Sequence, residues 1–291
     1  MSILVTGGAG YIGSHMTYAL CDEAEHVVVL DDLSTGLHEL VDERATFVRG
    51  DVGDKSLVTG LFKEYDFDCV IHFAGSVVVP ESVQLPLRYY SNNTLVTLKL
   101  IEACTEFGVK NFIFSSTAAV YGVPDQQQVT EETPLEPISP YGRSKLMIEW
   151  ILEDTAKISD FRYIALRYFN VAGADPAGRT GQSTPNATHL IKRACQVALG
   201  RASHLDVFGT DYPTPDGTAV RDYIHVSDLI AAHEQALRAL RRGAPSAVLN
   251  CGYGHGFSVR EVLRSVERLS CHTFTTFEST RRAGDPAMLI S

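Results

Sequence analysis

Three side chains in the middle of the sequence form a pattern suited to proton transfer. Tyr141 and Lys145 are four residues apart, so on a helix they point the same way. A free tyrosine has a pKa of about 10 and is a poor base at neutral pH, whereas a neighbouring ammonium favours the phenolate. Thr117 supplies a hydroxyl that can bond the same reacting oxygen. An exposed helix face also produces this spacing, but beside a strand that ends Ser-Ser-Thr we expect a catalytic acid/base group.

A glycine-rich turn near the amino terminus is the second candidate site. Residues 3–5 predict a buried strand and residues 14–20 a helix, and Gly7, Gly10 and Gly13 lie between them. This layout binds the pyrophosphate of a dinucleotide, because glycines allow close backbone approach and the helix N-terminus offers free N–H groups. The spacing is G-x-x-G-x-x-G, not G-x-G-x-x-G, and a plain turn also uses glycines. The flanking strand and helix therefore carry the prediction.

An acidic pair follows the second predicted strand, which covers residues 27–30. Asp31 and Asp32 stand at its end, and Asp31 is 18 residues beyond Gly13. That is close to the distance of about 20 residues expected for a carboxylate that binds a ribose hydroxyl. A carboxylate would repel a 2′-phosphate, so the sequence favours NAD over NADP. The alternative is that the two aspartates cap a turn.

The remaining pattern predicts an α/β fold built on a doubly wound parallel Rossmann sheet. Further strands are expected at 47–52, 70–75, 112–117 and 163–168, and helices at 84–107 and from Ser139 onward. Ligands bind beyond the carboxyl ends of such strands. We expect an NAD-binding domain over residues 1–170 and a smaller C-terminal α/β region for the substrate over 171–291, with strands such as 248–251 returning to the main sheet.

Composition narrows the partners and the compartment. The chain has 291 residues, 45% hydrophobic and 21% charged, with a formal net charge of −10 and no basic cluster, which argues against nucleic acid or anionic membranes as partners. The six cysteines include no C-x-x-C pair, as expected of reduced thiols in the cytoplasm. No apolar run is long enough to span a bilayer, and no room for a signal peptide precedes the first strand. The histidines lack metal-ligand spacing, so no metal is expected.

Several stretches together match a known family. Those at 4–15, 70–75, 111–116 and 139–142 are typical of a superfamily of nicotinamide enzymes, and those at 166–170, 221–226 and 281–285 of its nucleotide-sugar members. Over essentially its whole length the chain resembles the extended short-chain dehydrogenase/reductases, and within them the group that epimerises UDP-galactose and UDP-glucose at C4.

The resemblance implies tightly held NAD and a UDP-sugar substrate. Together with the glycine turn and the acidic pair, it gives these cofactor positions: Gly7, Gly10, Tyr11, Ile12, Gly13, Asp31, Asp32, Leu33, Ser34, Thr35, Gly36, Asp51, Val52, Phe73, Ala74, Gly75, Ser76, Asn92, Tyr141, Lys145 and Phe169. The substrate positions are Thr117, Tyr141, Asn170, His189, Asp206, Val207, Phe208, Arg221, Arg282 and Asp285. Arg221 and Arg282 can bind two phosphates through forked hydrogen bonds, although a surface salt bridge is the alternative for each.

The implied reaction is an isomerisation. Tyr141 takes the proton of the 4-hydroxyl, C4 gives a hydride to NAD, and the transient 4-keto sugar turns over before hydride returns to its other face. A UDP-pentose or UDP-N-acetylhexosamine 4-epimerase stays open. A 4,6-dehydratase is disfavoured because Ala118 and Ala119 replace its acidic pair, and a non-catalytic NAD sensor has no use for an activated phenolate.

Some features depart from the family pattern or are implied by it alone. Val77, His189 and Leu289 differ from the residues usual at their positions, and we expect effects on cofactor retention, UDP contact and sugar size. The C-terminus is expected to be short for the family. Apolar residues around 95–101 and 145–152 cover more than one helix face, and the resemblance implies a homodimer built on a four-helix bundle, with burial against the sheet as the alternative.

Overall fold

The computed structural model describes residues 1–126, 128–185, 187–282 and 285–291, and among them seven strands form one parallel sheet. From edge to edge these are β10 (Ala247–Cys251), β6 (Arg162–Tyr168), β5 (Asn111–Thr117), β4 (Phe67–His72), β1 (Ser2–Thr6), β2 (Val27–Asp31) and β3 (Thr46–Arg49). The chain builds outward in opposite directions from β1 and β4. This switch point opens a crevice beyond the carboxyl ends of the two strands, which is where ligands bind in sheets of this kind.

Helices cover both faces of the sheet. One layer holds α1 (Tyr11–Asp22) and α8 (Val226–Arg241), and the other holds α2 (Lys55–Glu64), α5 (Val96–Phe107) and α6 (Pro140–Lys157). Alternate strand residues enter the two cores: Ile3 and Val5 face α1, whereas Leu4 faces α2 and α5. Burial on both faces explains why the strands read as continuous apolar runs.

A smaller α/β region follows β6. Its central strand β9 (Val220–His225) pairs with β7 (Asn170–Ala172), β11 (Gly256–Ser258) and β13 (Met288–Leu289), while β8 (Leu205–Phe208) pairs with β12 (Thr276–Ser279). Helices α7 (Leu190–Ala198) and α9 (Val259–Ser270) pack together on a separate apolar cluster. Because β10 and α8 come from this half of the chain, the two regions share the main sheet and its core.

The helix expected over 84–107 begins at Pro86 and continues to Phe107, with a π-helical turn within it. Helix α3 (Val79–Gln84) ends before Pro86, and α4 (Pro86–Tyr89) leads through a π-helical turn (Tyr90–Leu95) into α5. Proline disfavours a helical conformation in the residue before it, and Leu85 accordingly leaves the helical region, with φ of −125° and ψ of 56°. The strand expected at 47–52 stops at Arg49, because Asp51 turns back to accept a hydrogen bond from the Gly53 N–H at 2.7 Å.

The strand expected at 70–75 ends at His72, and the strands expected at 112–117, 163–168 and 248–251 lie in the main sheet. Among the described residues, no helix has the combined length and apolar character needed to cross a membrane.

Gly13 gives a test of how tightly the first helix packs on the turn before it. A Cβ on Gly13 would lie 2.1 Å from the Gly7 carbonyl oxygen, whereas a Cβ on Gly60, in α2, meets nothing within 4 Å. We expect Gly13→Ala to lower the free energy of unfolding by about 1–3 kcal/mol, since backbone must move. Gly60→Ala, the matched control, should raise it by about 0.5–1 kcal/mol. Denaturant unfolding of both variants measures this, and equal stability of Gly13→Ala and the parent would contradict the packing argument.

Candidate functional site

The sequence-predicted groups meet at the carboxyl edge of the sheet. Strand β1 runs into the glycine turn, β2 ends at Asp31, and β5 ends at Thr117. Helix α6 begins at the same edge, with the Ser139 hydroxyl accepting a hydrogen bond from the Gly142 N–H at 3.1 Å. That cap fixes the first turn of the helix, which carries Tyr141.

The glycine turn is shaped for close approach of a ligand. Gly7 has φ of +71°, and a Cβ there would lie 2.6 Å from the Ala74 backbone nitrogen, so this position requires glycine. Gly10 precedes α1 and provides no side-chain cap, which leaves the first N–H groups of the helix free. An uncapped helix N-terminus reached through side-chain-free backbone fits the pyrophosphate of a dinucleotide.

Asp31 joins the glycine turn to the loop that follows β2. Its carboxylate accepts hydrogen bonds from the N–H groups of Ala9 at 2.9 Å and Leu33 at 2.8 Å. Burial raises the pKa of this carboxyl, and the two N–H donors oppose that shift. The second bond supports Leu33 in a left-handed conformation, with φ of 62°. The loop that contains Ser34, Thr35 and Gly36 is thus tied to the turn, with its shape set before a ligand binds.

Lys145 is buried and its ammonium is directed at the sheet. Nζ donates a hydrogen bond to the Ser115 carbonyl oxygen at 2.8 Å and lies 4.9 Å from the centre of the Phe114 ring. Burial lowers the pKa of Lys145 to about 8. The side chain is 2% exposed, so its charge acts in a medium of low dielectric constant.

Tyr141 differs from the simple expectation of an acidified phenol. Burial raises its pKa, and a hydrogen bond with Thr117 opposes that shift. The groups that shift the Tyr141 pKa do not include Lys145, whose ammonium is bonded to Ser115. In the protein alone the phenol is therefore not acidic. Ionisation at neutral pH needs further positive charge beside the ring, such as an oxidised nicotinamide supplies.

Asn93 is a structural residue of the site that the sequence did not reveal. Its Nδ2 donates to the Ser144 hydroxyl of α6 and to the Ser76 carbonyl, both at 3.0 Å, and its Oδ1 accepts from the Ser76 N–H at 2.8 Å. The neighbouring Asn92 donates to the Ser76 hydroxyl at 2.9 Å. Asparagine is a poor helix former, so two in the middle of a predicted helix were the available signal.

His72 extends this bonding to the first strand. Its Nδ1 lies 2.6 Å from the Thr6 hydroxyl and its Nε2 lies 2.8 Å from the Thr97 hydroxyl. Because Thr97 gives its only proton to the Asn93 carbonyl at 2.6 Å, the His72 Nε2 must donate to the Thr97 hydroxyl. Burial and the Lys145 charge lower the pKa of His72 to about 3, so the ring is neutral at neutral pH and its Nδ1 accepts from the Thr6 hydroxyl.

The remaining cofactor positions follow the edge of the sheet. The Tyr11 hydroxyl donates to the Gly173 carbonyl at 2.7 Å, and Phe73 packs on the buried ring of His233. A Cβ on Gly75 would lie 3.0 Å from the Asn93 Oδ1 and 3.9 Å from the Lys145 Nζ. The other positions are placed as follows: Ile12 in α1, Asp32 exposed with a bond from the Ser34 N–H, Asp51 at the cap of the Gly53 turn, Val52 buried, Ala74 against Gly7, and Phe169 packed near Leu289.

The substrate positions form two small groups in the second region. Arg221 donates to the Val220 carbonyl at 2.8 Å and to the Asp285 carboxylate at 3.0 Å. Arg282 lies over the Phe208 ring, 4.1 Å from its centre. The Asp285 N–H donates to the Arg282 carbonyl, which links the two groups, and a guanidinium stacked on an aromatic ring is a suitable place for an anionic nucleotide.

The other predicted substrate positions differ in their exposure to solvent. The Val207 side chain is buried in the cluster between α7 and α9, whereas Asp206 is exposed. Asn170 is exposed at the start of β7, and exposed His189 immediately precedes α7. Leu289 is buried, and Val77 is 54% exposed. Ala283 and Gly284, within the 281–285 stretch, lie outside the described residues.

Among the residues that the structure describes, no group of three or more His, Cys, Asp or Glu side chains could hold a metal ion.

Comparison with known proteins identifies the family of this chain. Residues 3–252 match the NAD dependent epimerase/dehydratase family. A UDP-glucose 4-epimerase of Azospirillum brasilense is 54% identical over 99% of this chain and 83% of its own length. The structure of a UDP-glucose 4-epimerase from Brucella ovis in complex with NAD has a TM-score of 0.95 at 44% identity, covering 100% of this chain and 89% of that one. A Thermotoga maritima UDP-glucose 4-epimerase with UDP-glucose has a TM-score of 0.88 at 32% identity, with coverage of 100% and 89%. The chain belongs to the NAD dependent epimerase/dehydratase family.

The buried ammonium of Lys145 predicts an unusual dependence of stability on pH. Its folded pKa is about 8, below the unfolded value of about 10.4, so burial of the charge destabilises the fold below pH 8 and this cost disappears as the pH rises toward 10. We expect Lys145→Met to raise the free energy of unfolding of the NAD-free protein at pH 7 by about 1–3 kcal/mol, and the gain to vanish near pH 10. Lys110→Met, at an exposed lysine, is the control and should give no such gain. Unfolding curves at pH 7 and 10 measure both, and a pH-independent difference would contradict the assignment.

Proposed function

We propose that this member of the NAD dependent epimerase/dehydratase family is an isomerase that interconverts UDP-galactose and UDP-glucose by inverting C4 of the sugar. One observation carries the proposal: Tyr141 and the buried Lys145, one turn apart on α6, lie with the Thr117 end of β5 at the same sheet edge as an uncapped, glycine-lined helix N-terminus. The activity named for the relatives, UDP-glucose 4-epimerase, supports it.

NAD fits the residues at this edge. The glycine turn would hold the pyrophosphate, the Asp31 carboxylate retains lone pairs for the ribose hydroxyls, and Lys145 faces the Gly75 segment where the nicotinamide half would lie. When bound there, NAD would supply a reversible hydride acceptor for C4 of the sugar, so the overall reaction would consume no oxidant.

The protein's own groups would handle the proton and the substrate. The Tyr141 oxygen takes the proton of the 4-hydroxyl and later returns it, and the Thr117 hydroxyl bonds the same oxygen. Arg221 and Arg282 bind the diphosphate through charge-assisted hydrogen bonds. Because both arginines bind only the UDP end of the substrate, the 4-keto sugar can rotate and present its other face between the two half-reactions.

The positions after Thr117 lack the acid and base side chains that a 4,6-dehydratase would need. Ala118 and Ala119 follow Thr117 in a 3₁₀ turn (Ala118–Tyr121), where an acid and a base would be needed to eliminate water. Leu289, near the position that bears on sugar size, is buried among Ala118, Tyr121 and Leu146. The described contacts do not favour a UDP-pentose or a UDP-N-acetylhexosamine, so both are included in the assay.

The direct test is incubation of the purified protein with UDP-galactose, without added NAD. We expect UDP-glucose to form, and denaturation to release about one NAD(H) per chain. Conversion of UDP-N-acetylgalactosamine or a UDP-pentose in preference to UDP-galactose would change the substrate. Full activity in protein that holds no nicotinamide would overturn the mechanism.

Tyr141→Phe removes the titrating oxygen and keeps the ring. We expect turnover to fall roughly 10²–10⁴-fold, as for the loss of a positioned acid/base, with the fold and bound NAD retained. Tyr65→Phe, a tyrosine after α2, is the control and should keep the parental rate. If Tyr141→Phe converts UDP-galactose at the parental rate, the assignment is wrong and Thr117 is the next residue to test.

We also infer that the protein works in the cytoplasm as a homodimer. All six cysteines are free thiols, as suits a reducing compartment. Helix α6 packs beside α4 and the π-helical turn, and four large apolar side chains are exposed on these elements: Leu87, Leu95, Met147 and Trp150. An exposed patch of this kind on paired helices suits pairing with a second copy into a four-helix bundle.

The dimer is tested by placing a charge in this patch. Trp150 is 54% exposed, so Trp150→Glu should preserve the monomer fold but desolvate a carboxylate in the interface, and we expect it to shift the protein to monomers. Leu269→Glu, at an 81% exposed leucine on α9, is the control and should leave the assembly unchanged. Sedimentation velocity at micromolar concentration gives the answer, and a monomeric parent protein would refute the dimer.

A further inference from the structure

A buried ion pair lies directly beneath the candidate site. Arg167 of β6 and Glu149 of α6 have side chains that are each 4% exposed, with Nη2 and Oε2 2.7 Å apart. The Arg167 Nε donates to Oε1 at 3.1 Å, which makes the contact a two-point fork. The Ser116 hydroxyl, next to Thr117, also donates to Oε1 at 2.5 Å.

The third nitrogen of the Arg167 guanidinium is also hydrogen-bonded. Nη1 donates to the Tyr121 hydroxyl at 2.9 Å, and that hydroxyl donates to the Asn250 Oδ1 at 2.7 Å. The guanidinium carbon lies 5.1 Å from the centre of the Tyr121 ring. The Arg167–Glu149 pair therefore connects β5, α6, β6 and β10. Buried ion pairs add little net stability compared with apolar residues of similar size, so stability alone does not account for it.

Glu149 lies on the same face of α6 as Tyr141 and Lys145. Tyr141, Lys145 and Glu149 follow one another at four-residue steps, on one face of the helix and about 6 Å apart along its axis. A glutamate four residues from a lysine is its usual helical partner. Here the Lys145 ammonium bonds the Ser115 carbonyl, and the part of the chain that the structure describes gives it no ion pair.

We propose that Arg167 is the fixed counter-ion of Glu149, and that it holds this carboxylate away from Lys145 and neutralises its charge beside the Tyr141 phenol. The effect on turnover rests on the proposed epimerase function, but the effect on the Tyr141 phenol does not. Arg167 and Glu149 touch neither the reacting atoms nor the cofactor edge, so both are positioning residues.

Other charged and titratable groups around Tyr141 and Lys145 are few. Thr117 of β5 is close enough to lower the pKa of the phenol, Tyr168 of β6 is close enough for its own pKa to respond to Tyr141, and the Tyr89 ring packs edge-on against Tyr141. The Tyr89 hydroxyl bonds the Glu81 carboxylate at 2.7 Å. His72 of β4 faces Lys145 and is neutral. None of these groups changes in the variants proposed below.

The proposal predicts pKa shifts of opposite sign for the two partners. Without Arg167, an unpaired negative charge stands one helical turn from Lys145 and two from Tyr141, so the phenolate is disfavoured and its pKa rises. Without the Glu149 charge, the Arg167 charge is unopposed, so the phenol pKa falls. A unit charge about 12 Å away in a protein interior shifts a pKa by roughly 0.5–1 unit.

The experiment compares four variants in the NAD-loaded enzyme: Arg167→Met, Glu149→Gln, the double variant and Arg167→Lys. Ionisation of Tyr141 is followed by the ultraviolet absorbance of phenolate, using the Tyr141→Phe form of each variant as the blank. The pH profile of kcat with UDP-galactose is recorded in parallel. We expect midpoints above the parental one for Arg167→Met, below it for Glu149→Gln, and close to it for the double variant and for Arg167→Lys.

A purely structural pair gives a different result. It lowers stability in each single variant but leaves the absorbance midpoints unchanged, or moves both the same way, and either outcome overturns the proposal. If Arg167→Met does not fold, because it leaves a buried unpaired carboxylate, the comparison of Glu149→Gln with the double variant still decides. If the parent does not convert UDP-galactose, the proposed function fails while the absorbance titration still tests this inference.

Discussion

Burial of a charged ammonium at the carboxyl edge of the sheet is the constraint on which the candidate site depends. Lys145 has almost no contact with water, and its pKa is lowered to about 8. At neutral pH it keeps its proton because the Ser115 carbonyl accepts a hydrogen bond from it and the Phe114 ring presents its face. A charge held in this way is poorly screened, so it acts strongly on whatever is placed next to it. Burial lowers the pKa of His72 and the same charge adds to that effect, so its ring stays neutral.

The doubly wound sheet supplies this environment almost without specialised residues. The pairing of β5 with β4 ends at Phe114, and the carbonyl of the next residue, Ser115, accepts a hydrogen bond from Lys145. Where β1 ends, the chain reverses through Gly7 against the backbone of Ala74. The two features lie on strands that flank β4, and so they open into the same crevice. The candidate site therefore depends on main-chain groups at the ends of β1 and β5 as much as on side chains.

Local patterns were sufficient to predict the features that are local in the chain. Apolar runs predicted the strands of the sheet, the glycine spacing predicted the turn, and the interval between Tyr141 and Lys145 predicted that both lie on one helix. Asn93 was not identified, because its partners Ser76 and Ser144 lie 17 and 51 residues away and only the tertiary fold brings them together.

The same limit applies to other side chains. Glu149 and Arg167 are each ordinary residues in the sequence, and the fork between them requires β6 to lie under α6. The positions in the second region came from the resemblance alone. There the structure separates Asp206, which is exposed, from Val207, whose side chain enters the core. The direction of the Lys145 ammonium also could not be predicted, since a four-residue spacing sets the helix face but not the rotamer.

The π-helical turn before α5 has a consequence for how this segment tolerates change. A π turn accommodates one extra residue, so everything after it is rotated by about 100° relative to an uninterrupted α-helix. That offset lets Asn93 face the Ser76 segment while Leu100 and Ile101, on the continuing helix, enter the core. Removal of a single residue between Tyr90 and Leu95 would restore a regular helix and turn one of these faces outward. Chain length in this segment is therefore more constrained than the identity of most of its residues, and related sequences should vary here by substitution, with insertions and deletions confined to the loops on either side.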